Sequence, residues 1–459
     1  MIYPIKVSEL INASCGELVR GSGDDIISSF STDTRTLKQG DFFIAVKGEN
    51  HDGHGFIHQA ASAGAKGIII SERVDIPGDI DVVIKVDDTL KAYLEAAGIY
   101  LKNFKIKKIG ITGSVGKTTT KEIIAGLLKA RYKVLKSEAS FNNEIGIPMT
   151  IFELTDSCEV LVLEMAMRGS GQISRLCRVV DPDIGVITNI GESHFEFMAS
   201  YQAIAEAKAE LLEYLSEEDA AVINNDDKFS PFLKSRTKAQ VFTYGVNNEA
   251  YFKAENIKEL GLDGVEFDVC VKDNGRFNFR SSLLGSSSVM NLLAGIAVGF
   301  YTGIDPVKLQ EKVLQIKPER HRLEKKLLPG GAVLIDDCYN ASPTSMRAAF
   351  DFISKLNSEG KRIAVLADML ELGSIEKQAH YQTGLTAAKS NLDFIIFTGD
   401  NAENYKEGAL EGGFALEDIY IAKNNKDIAN KLKEILNKGD VVLFKASRKM
   451  KLEEIEELL

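Results

Sequence analysis

Short apolar runs alternate with segments of helical periodicity from the start of the chain. In the first hundred residues, apolar runs at 41–46, 67–70 and 82–86 predict strands. Periodic apolar positions at 58–65 and 89–101 predict helices. This alternation of strands and helices predicts a small α/β unit at the beginning of the chain.

A second series of strands and helices begins just after residue 105. Its near-continuous apolar runs are typical of strands in a parallel sheet that is covered on both faces. The predicted strands lie at 107–112, 160–164, 184–188, 221–224 and 241–244. An amphipathic helix is predicted at 117–130, residues 250–282 alternate like antiparallel strands, and another helix is predicted at 288–301.

A third series follows a second boundary near residues 317–321. Its predicted strands lie at 332–336, 361–367, 394–398 and 441–444, with helices between them. The pattern predicts an α/β protein of three domains: a small N-terminal α/β domain, a central parallel-sheet domain and a C-terminal Rossmann-like domain. We place these domains at residues 1–105, 106–319 and 320–459.

Composition narrows the class of protein. With 55 Lys and Arg residues against 66 Asp and Glu residues, the formal net charge is -11, and no basic cluster stands out. We therefore expect no nucleic-acid partner. Five irregularly spaced cysteines fit a reducing compartment, and the longest apolar run, 292–301, is too short to span a bilayer. We expect a cytoplasmic protein without membrane insertion, and a monomer.

A glycine-rich sequence connects the strand at 107–112 to the helix that follows it. Glycines let backbone N–H groups close around phosphate oxygens, a lysine can reach the outer phosphates, and a threonine hydroxyl can ligate Mg²⁺. The position where the general P-loop pattern has its first glycine is Ile111, so this loop is a tighter variant. The central domain is therefore predicted to bind ATP, or another nucleoside triphosphate, as a P-loop ATPase. The predicted ATP-binding residues of the loop are Gly113, Ser114, Val115, Gly116, Lys117, Thr118 and Thr119.

The loop sequence T-G-S-V-G-K-T-T-T at 112–120 resembles that of the Mur ligase family, the ATP-dependent amide-forming enzymes of peptidoglycan synthesis. Four further segments resemble patterns of that family in the same order along the chain. They are S-F-N-N-E-I-G-I-P at 140–148, L-E-M-A at 163–166, T-N-I-G-E-S-H at 188–194 and A-E-A-K at 205–208.

Other segments narrow the resemblance to the members of the family that add D-alanyl-D-alanine. D-D-C-Y-N-A-S-P-T-S-M at 336–346 and A-D-M-L-E-L-G at 367–373 are similar to segments of those members. The same holds for S-T-D-T-R at 31–35 and for the segment at 42–54. The resemblance implies a ligase that joins D-alanyl-D-alanine to UDP-N-acetylmuramoyl-tripeptide through an acyl phosphate, in peptidoglycan precursor synthesis.

The resemblance also implies a role for each domain. Residues 1–105 would bind the UDP-sugar, residues 106–319 would bind ATP, and residues 320–459 would bind the incoming dipeptide. It assigns catalytic roles to Lys117, Glu164, His194 and Lys208. Mg²⁺ would be held by Thr118, Glu164, His194 and Lys208, with Lys208 carbamylated because an ammonium group cannot ligate a metal. Nucleotide contacts beyond the loop would come from Asn291, Arg322 and Asp337.

Substrate-binding residues are assigned in the same way, in three groups. The uridine nucleotide would contact Asp33, Thr34, Arg35, Lys47 and Gly48. The muramoyl-peptide would contact Asn142, Asn143 and Arg168. The dipeptide would contact Asn340, Asp368, Ser447 and Arg448.

Two departures from the family patterns leave alternatives open. Ser287 and Ser288 stand where the family has a His-Asn pair, and His321 stands where it has the glycine of G-R-x-E. A related Mur or folylpolyglutamate-type ligase is one alternative, although segments 339–343 and 368–373 speak against it. A nucleotide-binding module with weakened catalysis is the other.

Overall fold

The computed structural model describes residues 1–48, 51–138, 141–191, 198 and 200–459. In that part of the chain, no helix combines the length and the apolar character needed to cross a bilayer. Within it, the strands form a short antiparallel pair and three larger sheets that follow one another along the chain.

The first larger sheet has the order β2-β7-β6-β5-β4 and is parallel except for β2. The strands β1 and β3 form the separate antiparallel pair. Helix α3 buries Tyr93 and Tyr100 in the core of this unit. The elements are β1 Ile5–Lys6, α1 Val7–Ser14, β2 Glu17–Arg20, β3 Ile26–Ile27, β4 Phe30–Ser31, β5 Phe42–Ile44, α2 Ile57–Ser62, β6 Gly67–Ile70, β7 Val82–Lys85 and α3 Thr89–Leu101.

The second sheet has the order β16-β15-β14-β13-β12-β11-β8-β10-β9. The strands from β9 to β14 run parallel, and β15 and β16 continue the sheet antiparallel, as the alternation at 250–282 predicted. The elements are β8 Lys107–Thr112, α4 Lys117–Leu128, β9 Val134–Lys136, α5 Gly146–Ile151, β10 Val160–Glu164, α6 Gln172–Val180, β11 Ile184–Ile187, α7 Tyr201–Glu213, β12 Ala220–Asn224, α8 Ser230–Ser235, β13 Gln240–Gly245, β14 Phe252–Glu259, β15 Val265–Val271, β16 Gly275–Ser281, α9 Ser287–Tyr301 and α10 Pro306–Gln315.

The third sheet has the order β17-β18-β22-β19-β20-β21 and is parallel except for the edge strand β17. The elements are β17 Glu324–Leu327, β18 Val333–Asp337, α11 Pro343–Lys355, β19 Arg362–Leu366, α12 Glu376–Ala387, β20 Phe394–Phe397, α13 Ala402–Glu411, β21 Ile419–Ile421, α14 Asn425–Ile435 and β22 Val441–Lys445. The predicted α/β class is confirmed. The edge strands β9, β17 and β21 were not predicted.

The parallel strands in the middle of the second sheet, β10, β11 and β12, are buried on both faces. In β10, Leu161 and Leu163 pack into one apolar core, while Val160 and Val162 pack into another on the opposite face. Strand β8 lies between β10 and β11, and the chain crosses over β8 as it passes from β10 on one side to β11 on the other. In such sheets ligands bind at the carboxyl ends of the strands beside this crossover. The loop at 113–116 begins there.

Candidate active site

The phosphate loop, residues 113–119, has a backbone that only glycine fits at two positions. Gly113 has a φ of 151° and Gly116 a φ of 84°, and Gly116 is the N-cap of α4. A Cβ on Gly113 would clash with Thr188 Oγ1, and a Cβ on Gly116 would lie 2.5 Å from Asn291 Oδ1. The two glycines therefore allow both an unusual conformation and a close approach of neighbouring elements.

Two residues that follow β11 brace this loop. Thr188 Oγ1 and Asn189 Nδ2 donate to the Val115 carbonyl at 2.7 and 2.9 Å. The Val115 N–H donates in turn to Asn189 Oδ1 at 2.9 Å. Thr188 and Asn189 were recognised as part of a motif, but their bracing role was not predicted. The sequence feature that could have indicated this role is that Thr188 and Asn189 lie at the end of a predicted strand.

Two lysines, Lys117 half-buried and Lys208 buried, converge on the Gly113 carbonyl. Lys117 Nζ lies 2.9 Å from this oxygen and Lys208 Nζ lies 3.0 Å from it. Burial lowers the pKa of Lys117. Burial, followed by the nearby charge of Lys117, lowers the pKa of Lys208 well below its usual value. Lys208 therefore loses its proton at a lower pH than an exposed lysine does, and becomes a free amine.

Glu164, at the end of β10, presents a buried carboxylate oxygen to the same region. Its Oε1 accepts from Asn142 Nδ2 at 2.9 Å, whereas the buried Oε2 has no hydrogen-bond partner. The Thr118 side chain is also buried and lines the same cavity. Oxygen ligands of these two types suit Mg²⁺, so the residues fit the predicted metal. His194 lies outside the described residues.

The third unit contributes cations to the site. Arg322 Nη2 donates to Thr118 Oγ1 at 2.9 Å, and the guanidinium stacks 4.0 Å from the centre of the Tyr339 ring. Lys445 Nζ lies 2.7 Å from Asp337 Oδ2. Burial raises the pKa of Asp337, although Lys445 and Arg322 act in the opposite direction. Arg322 thus touches the hydroxyl that is predicted to hold Mg²⁺.

These residues surround a cavity of about 690 Å³ between the second and third units. That volume is in the range of sites that bind small organic ligands. Fourteen of the predicted site residues line it: Ser114, Val115, Gly116, Lys117, Thr118, Thr119, Asn142, Asn143, Glu164, Arg168, Asn291, Arg322, Asp337 and Asn340. Gly113 and Lys208 lie just behind this lining and contact each other.

The two serines that stand in place of the family's His-Asn pair also lie at the cavity. Ser287 is exposed there, and Ser288 Oγ donates to the Gly285 carbonyl at 2.7 Å. Nearby, Asn291 Oδ1 accepts from Thr120 Oγ1 at 3.3 Å. Ser288 therefore stabilises the turn before α9, while Ser287 remains available to a ligand.

The predicted uridine-binding residues lie in the first unit, away from this cavity. Arg35 forms a two-pronged ion pair with Asp33, with its Nη2 atom 2.6 Å from Asp33 Oδ2. The hydrogen bonds from Arg35 lower the pKa of Asp33 to about 2. Lys47 pairs with Glu72 at 2.7 Å and is followed by Gly48. Thr34, between Asp33 and Arg35, shares this surface.

Three of the predicted dipeptide-binding residues make contacts inside the third unit. The Asp368 carboxylate accepts from the backbone N–H groups of Asp400 and Asn401 at 2.8 and 3.0 Å. Ser447 Oγ accepts from the Leu370 N–H at 3.0 Å, and Arg448 pairs with Glu453 at 2.7 Å. Asp368 and Ser447 are nearly fully buried, so here they hold the backbone together.

Sequence reasoning did not single out Glu371, which lines the cavity. Its φ of 62° is unusual for a residue other than glycine. Its charge opposes the effect of burial on the pKa of Lys117. The sequence feature that could have indicated Glu371 is its position inside the A-D-M-L-E-L-G segment. An acidic side chain from the third unit thus acts electrostatically on the phosphate-loop lysine of the second.

Comparisons with known proteins agree with this arrangement. The Mur ligase family catalytic domain matches residues 26–104, the Mur ligase middle domain 111–299, and the Mur ligase glutamate ligase domain 321–448. The UDP-N-acetylmuramoyl-tripeptide–D-alanyl-D-alanine ligase of Bacillus subtilis is 39% identical over 94% of this chain and 92% of its own.

Solved structures agree as well. MurF from Acinetobacter baumannii superposes with a TM-score of 0.89 at 26% identity, covering 99% of this chain and 98% of that one. The MurF ligase from Thermotoga maritima, solved in complex with ADP, has a TM-score of 0.82 at 29% identity, covering 94% and 96%. From these similarities along its whole length, the chain belongs to the Mur ligase family.

Proposed function

We propose that the chain is an ATP-dependent ligase that adds D-alanyl-D-alanine to UDP-N-acetylmuramoyl-tripeptide during cytoplasmic peptidoglycan precursor synthesis. The names of the similar proteins support this activity. The observation that carries the proposal is the shared cavity. It brings the phosphate loop and the buried Glu164 against Arg322 and Asn340 of the third unit.

The reaction needs an activated carboxyl group, and the phosphate loop is placed to support it. The carboxylate of the tripeptide forms a bond to the γ-phosphorus of ATP, and the bond to the ADP oxygen breaks. Loop N–H groups and Lys117 bind the phosphates, and Lys117 leaves the Gly113 carbonyl to do so. Thr118 and Glu164, with His194 as a further proposed ligand, would hold Mg²⁺, which would supply positive charge to the phosphate oxygens.

The second step forms the amide bond. The amino group of D-alanyl-D-alanine attacks the acyl carbon, the C–O bond to phosphate breaks, and the nitrogen loses a proton. Asn142, Asn143 and Arg168 are proposed to hold the muramoyl-peptide, and Asn340 with residues of the third unit the dipeptide. Enclosure of the acyl phosphate by two units limits its loss to water.

Lys208 is proposed to be carbamylated, because a free amine reacts with CO₂ and an ammonium group does not. Its buried position, and the lowered pKa that results, support this. Protein equilibrated with ¹³C-bicarbonate should show a carbamate resonance by NMR that is lost in Lys208→Arg. A spectrum without that resonance at alkaline pH argues against carbamylation and leaves the ligase activity open.

The activity is tested by phosphate release. We expect release from ATP only when UDP-N-acetylmuramoyl-tripeptide and D-alanyl-D-alanine are both present. Lys117→Ala should lower kcat/KM by about a thousandfold or more, because a cation at the transferred phosphate is lost. Lys129→Ala, an exposed lysine just after α4, is the matched control and should be active. Full activity of Lys117→Ala contradicts the mechanism.

The same assay separates the alternatives. Ser287 and Ser288 favour the idea of a nucleotide-binding module, which would bind ATP without turnover under any substrate combination. A related Mur or folylpolyglutamate-type ligase would release phosphate with a different amine, such as glutamate, and not with D-alanyl-D-alanine.

A further inference from the structure

A second cluster of potential metal ligands lies at the carboxyl end of β18, behind the cavity. His321 Nδ1 lies 2.7 Å from Asp336 Oδ2, and Cys338 Sγ lies 2.8 Å from Asp336 Oδ1. The three ligand atoms lie within 4.8 Å of one another. None of these three residues is among the described residues that line the cavity. The proposed ligase chemistry therefore leaves the cluster without a role.

The cluster is enclosed but accessible from one side. Asp336 and Cys338 are 0% and 1% exposed, whereas the His321 side chain is 17% exposed. Glu453, in the segment after β22, brings its Oε2 atom to 3.7 Å from Cys338 Sγ. An ion could therefore enter past the imidazole and find a fourth ligand in Glu453.

The types of ligand decide which ion would fit. Mg²⁺ and Ca²⁺ take oxygen ligands, whereas imidazole nitrogen together with thiolate sulfur selects zinc and similar metals. Ligands in a tetrahedral zinc site lie roughly 3.3–3.8 Å apart, which the present atoms reach by small shifts. We propose that His321, Asp336, Cys338 and Glu453 bind a zinc-class divalent metal ion.

Two cations compete with a metal ion for these ligands: Arg448 pairs with Glu453 Oε1 at 2.7 Å, and Lys326 pairs with Asp336. The Lys326 Nζ atom lies 2.9 Å from Asp336 Oδ2 and 2.7 Å from Glu456 Oε2, so it neutralises the buried carboxylate. An entering metal ion takes over that neutralisation, and Lys326 keeps its bond to Glu456. The ammonium group thus weakens metal binding without blocking it, and removing it strengthens the binding.

The position of His321 fits a ligand role. It has a φ of 63°, where a residue other than glycine is disfavoured, and it replaces the glycine of the family pattern. A bound metal would tie the loop before β17 to the end of β18 and to the segment at 452–458. Arg322 and Asp337 adjoin these ligands in sequence, so occupancy would stiffen part of the nucleotide site.

Cobalt tests the proposal with a signal that does not depend on activity. Metal-free full-length protein titrated with Co²⁺ should develop a near-ultraviolet thiolate-to-cobalt absorption at one equivalent, and Zn²⁺ should abolish it. Cys338→Ala should lose the absorption. His321→Gly should weaken binding about 10–100-fold, and Lys326→Met should tighten it by about tenfold. Circular dichroism checks the fold of each variant.

Cys270→Ala is the matched control, because Cys270 also has a thiol beside a carboxylate, Glu255 at 3.3 Å. This variant should keep the full absorption. Absence of the absorption from the wild-type protein overturns the proposal, and so does its persistence in Cys338→Ala or its loss in Cys270→Ala. If Cys338→Ala does not fold, weaker or unchanged binding by Lys326→Met overturns it instead.

Discussion

At the scale of single residues, the site is built from polar groups that burial has deprived of ordinary partners. Glu164 Oε2 is buried without a hydrogen bond, and Lys117 and Lys208 share one backbone carbonyl. An unpaired buried polar group costs free energy in the folded protein. Such costs are typical of residues whose polar groups are paired only when a ligand is bound. The role of each residue can be tested by a substitution that removes its charge.

Glu164→Gln should separate function from stability. The amide keeps an oxygen for Asn142 and removes a buried negative charge, so the melting temperature should be unchanged or higher. The proposed metal ligand is weakened, so kcat should fall about a hundredfold and the Mg²⁺ concentration for half-maximal activity should rise. Differential scanning fluorimetry and phosphate release measure the two effects. Glu153→Gln, an exposed acid, should change neither, and full activity of Glu164→Gln would contradict the metal assignment.

Lys208 should make stability depend on pH. Its pKa is lowered in the folded state, while in the unfolded chain it is near 10.5. Between these two values the unfolded chain binds an extra proton, so stability rises with pH, by at most about 1.4 kcal/mol per pH unit. Lys208→Met lacks this dependence. In CO₂-free buffers, the wild type should therefore gain stability relative to Lys208→Met between neutral pH and about pH 10.

Thermal melts of both proteins across that range measure this difference. Lys129→Met, an exposed control, should follow the wild type at every pH. If the wild type gains no stability relative to Lys208→Met as the pH rises, the Lys208 pKa is not lowered in the folded protein.

At the scale of elements, a comparison of two helix N-caps separates the effect of a positive φ in the phosphate loop from the effect of the close contact with Asn291. Gly116 and Gly171 are N-caps of α4 and α6 with φ of 84° and 82°. A Cβ on Gly171 meets open space, whereas a Cβ on Gly116 lies 2.5 Å from Asn291 Oδ1. Gly171→Ala should therefore cost only the backbone strain, about 1 kcal/mol.

Gly116→Ala should cost more, and it should also weaken ATP binding, because Asn291 must move. Combining it with Asn291→Ala should restore part of the lost melting temperature but not the ATP affinity. Thermal melts and nucleotide titrations compare the variants. Equal losses of stability for Gly116→Ala and Gly171→Ala would show that contact with Asn291 is unimportant.

The elements also show what the sequence could predict. Strand β8, helix α3 and strand β10 have the predicted bounds, because their apolar patterns are local and complete. Strand β17 was missed because it is partly exposed and mostly charged, and strand β21 was missed because its three residues are too short a run to give a pattern. The contact of Arg322 with Thr118 joins residues 204 positions apart. No local pattern indicates such a pairing. The motifs therefore predicted which residues belong to the site but not how those residues contact one another.

At the scale of the whole molecule, the cavity between the second and third units implies movement. Arg322 now donates to Thr118, the hydroxyl proposed to hold Mg²⁺, so binding of nucleotide and metal must rearrange this contact between units. We expect ATP analogue plus UDP-N-acetylmuramoyl-tripeptide to draw the units together and lower the radius of gyration in small-angle X-ray scattering. Lys117→Ala, which loses a phosphate contact, should need much more nucleotide for the same change. Scattering that stays the same at saturating ligand would mean that the enzyme works in one fixed arrangement, with substrates entering a preformed cavity.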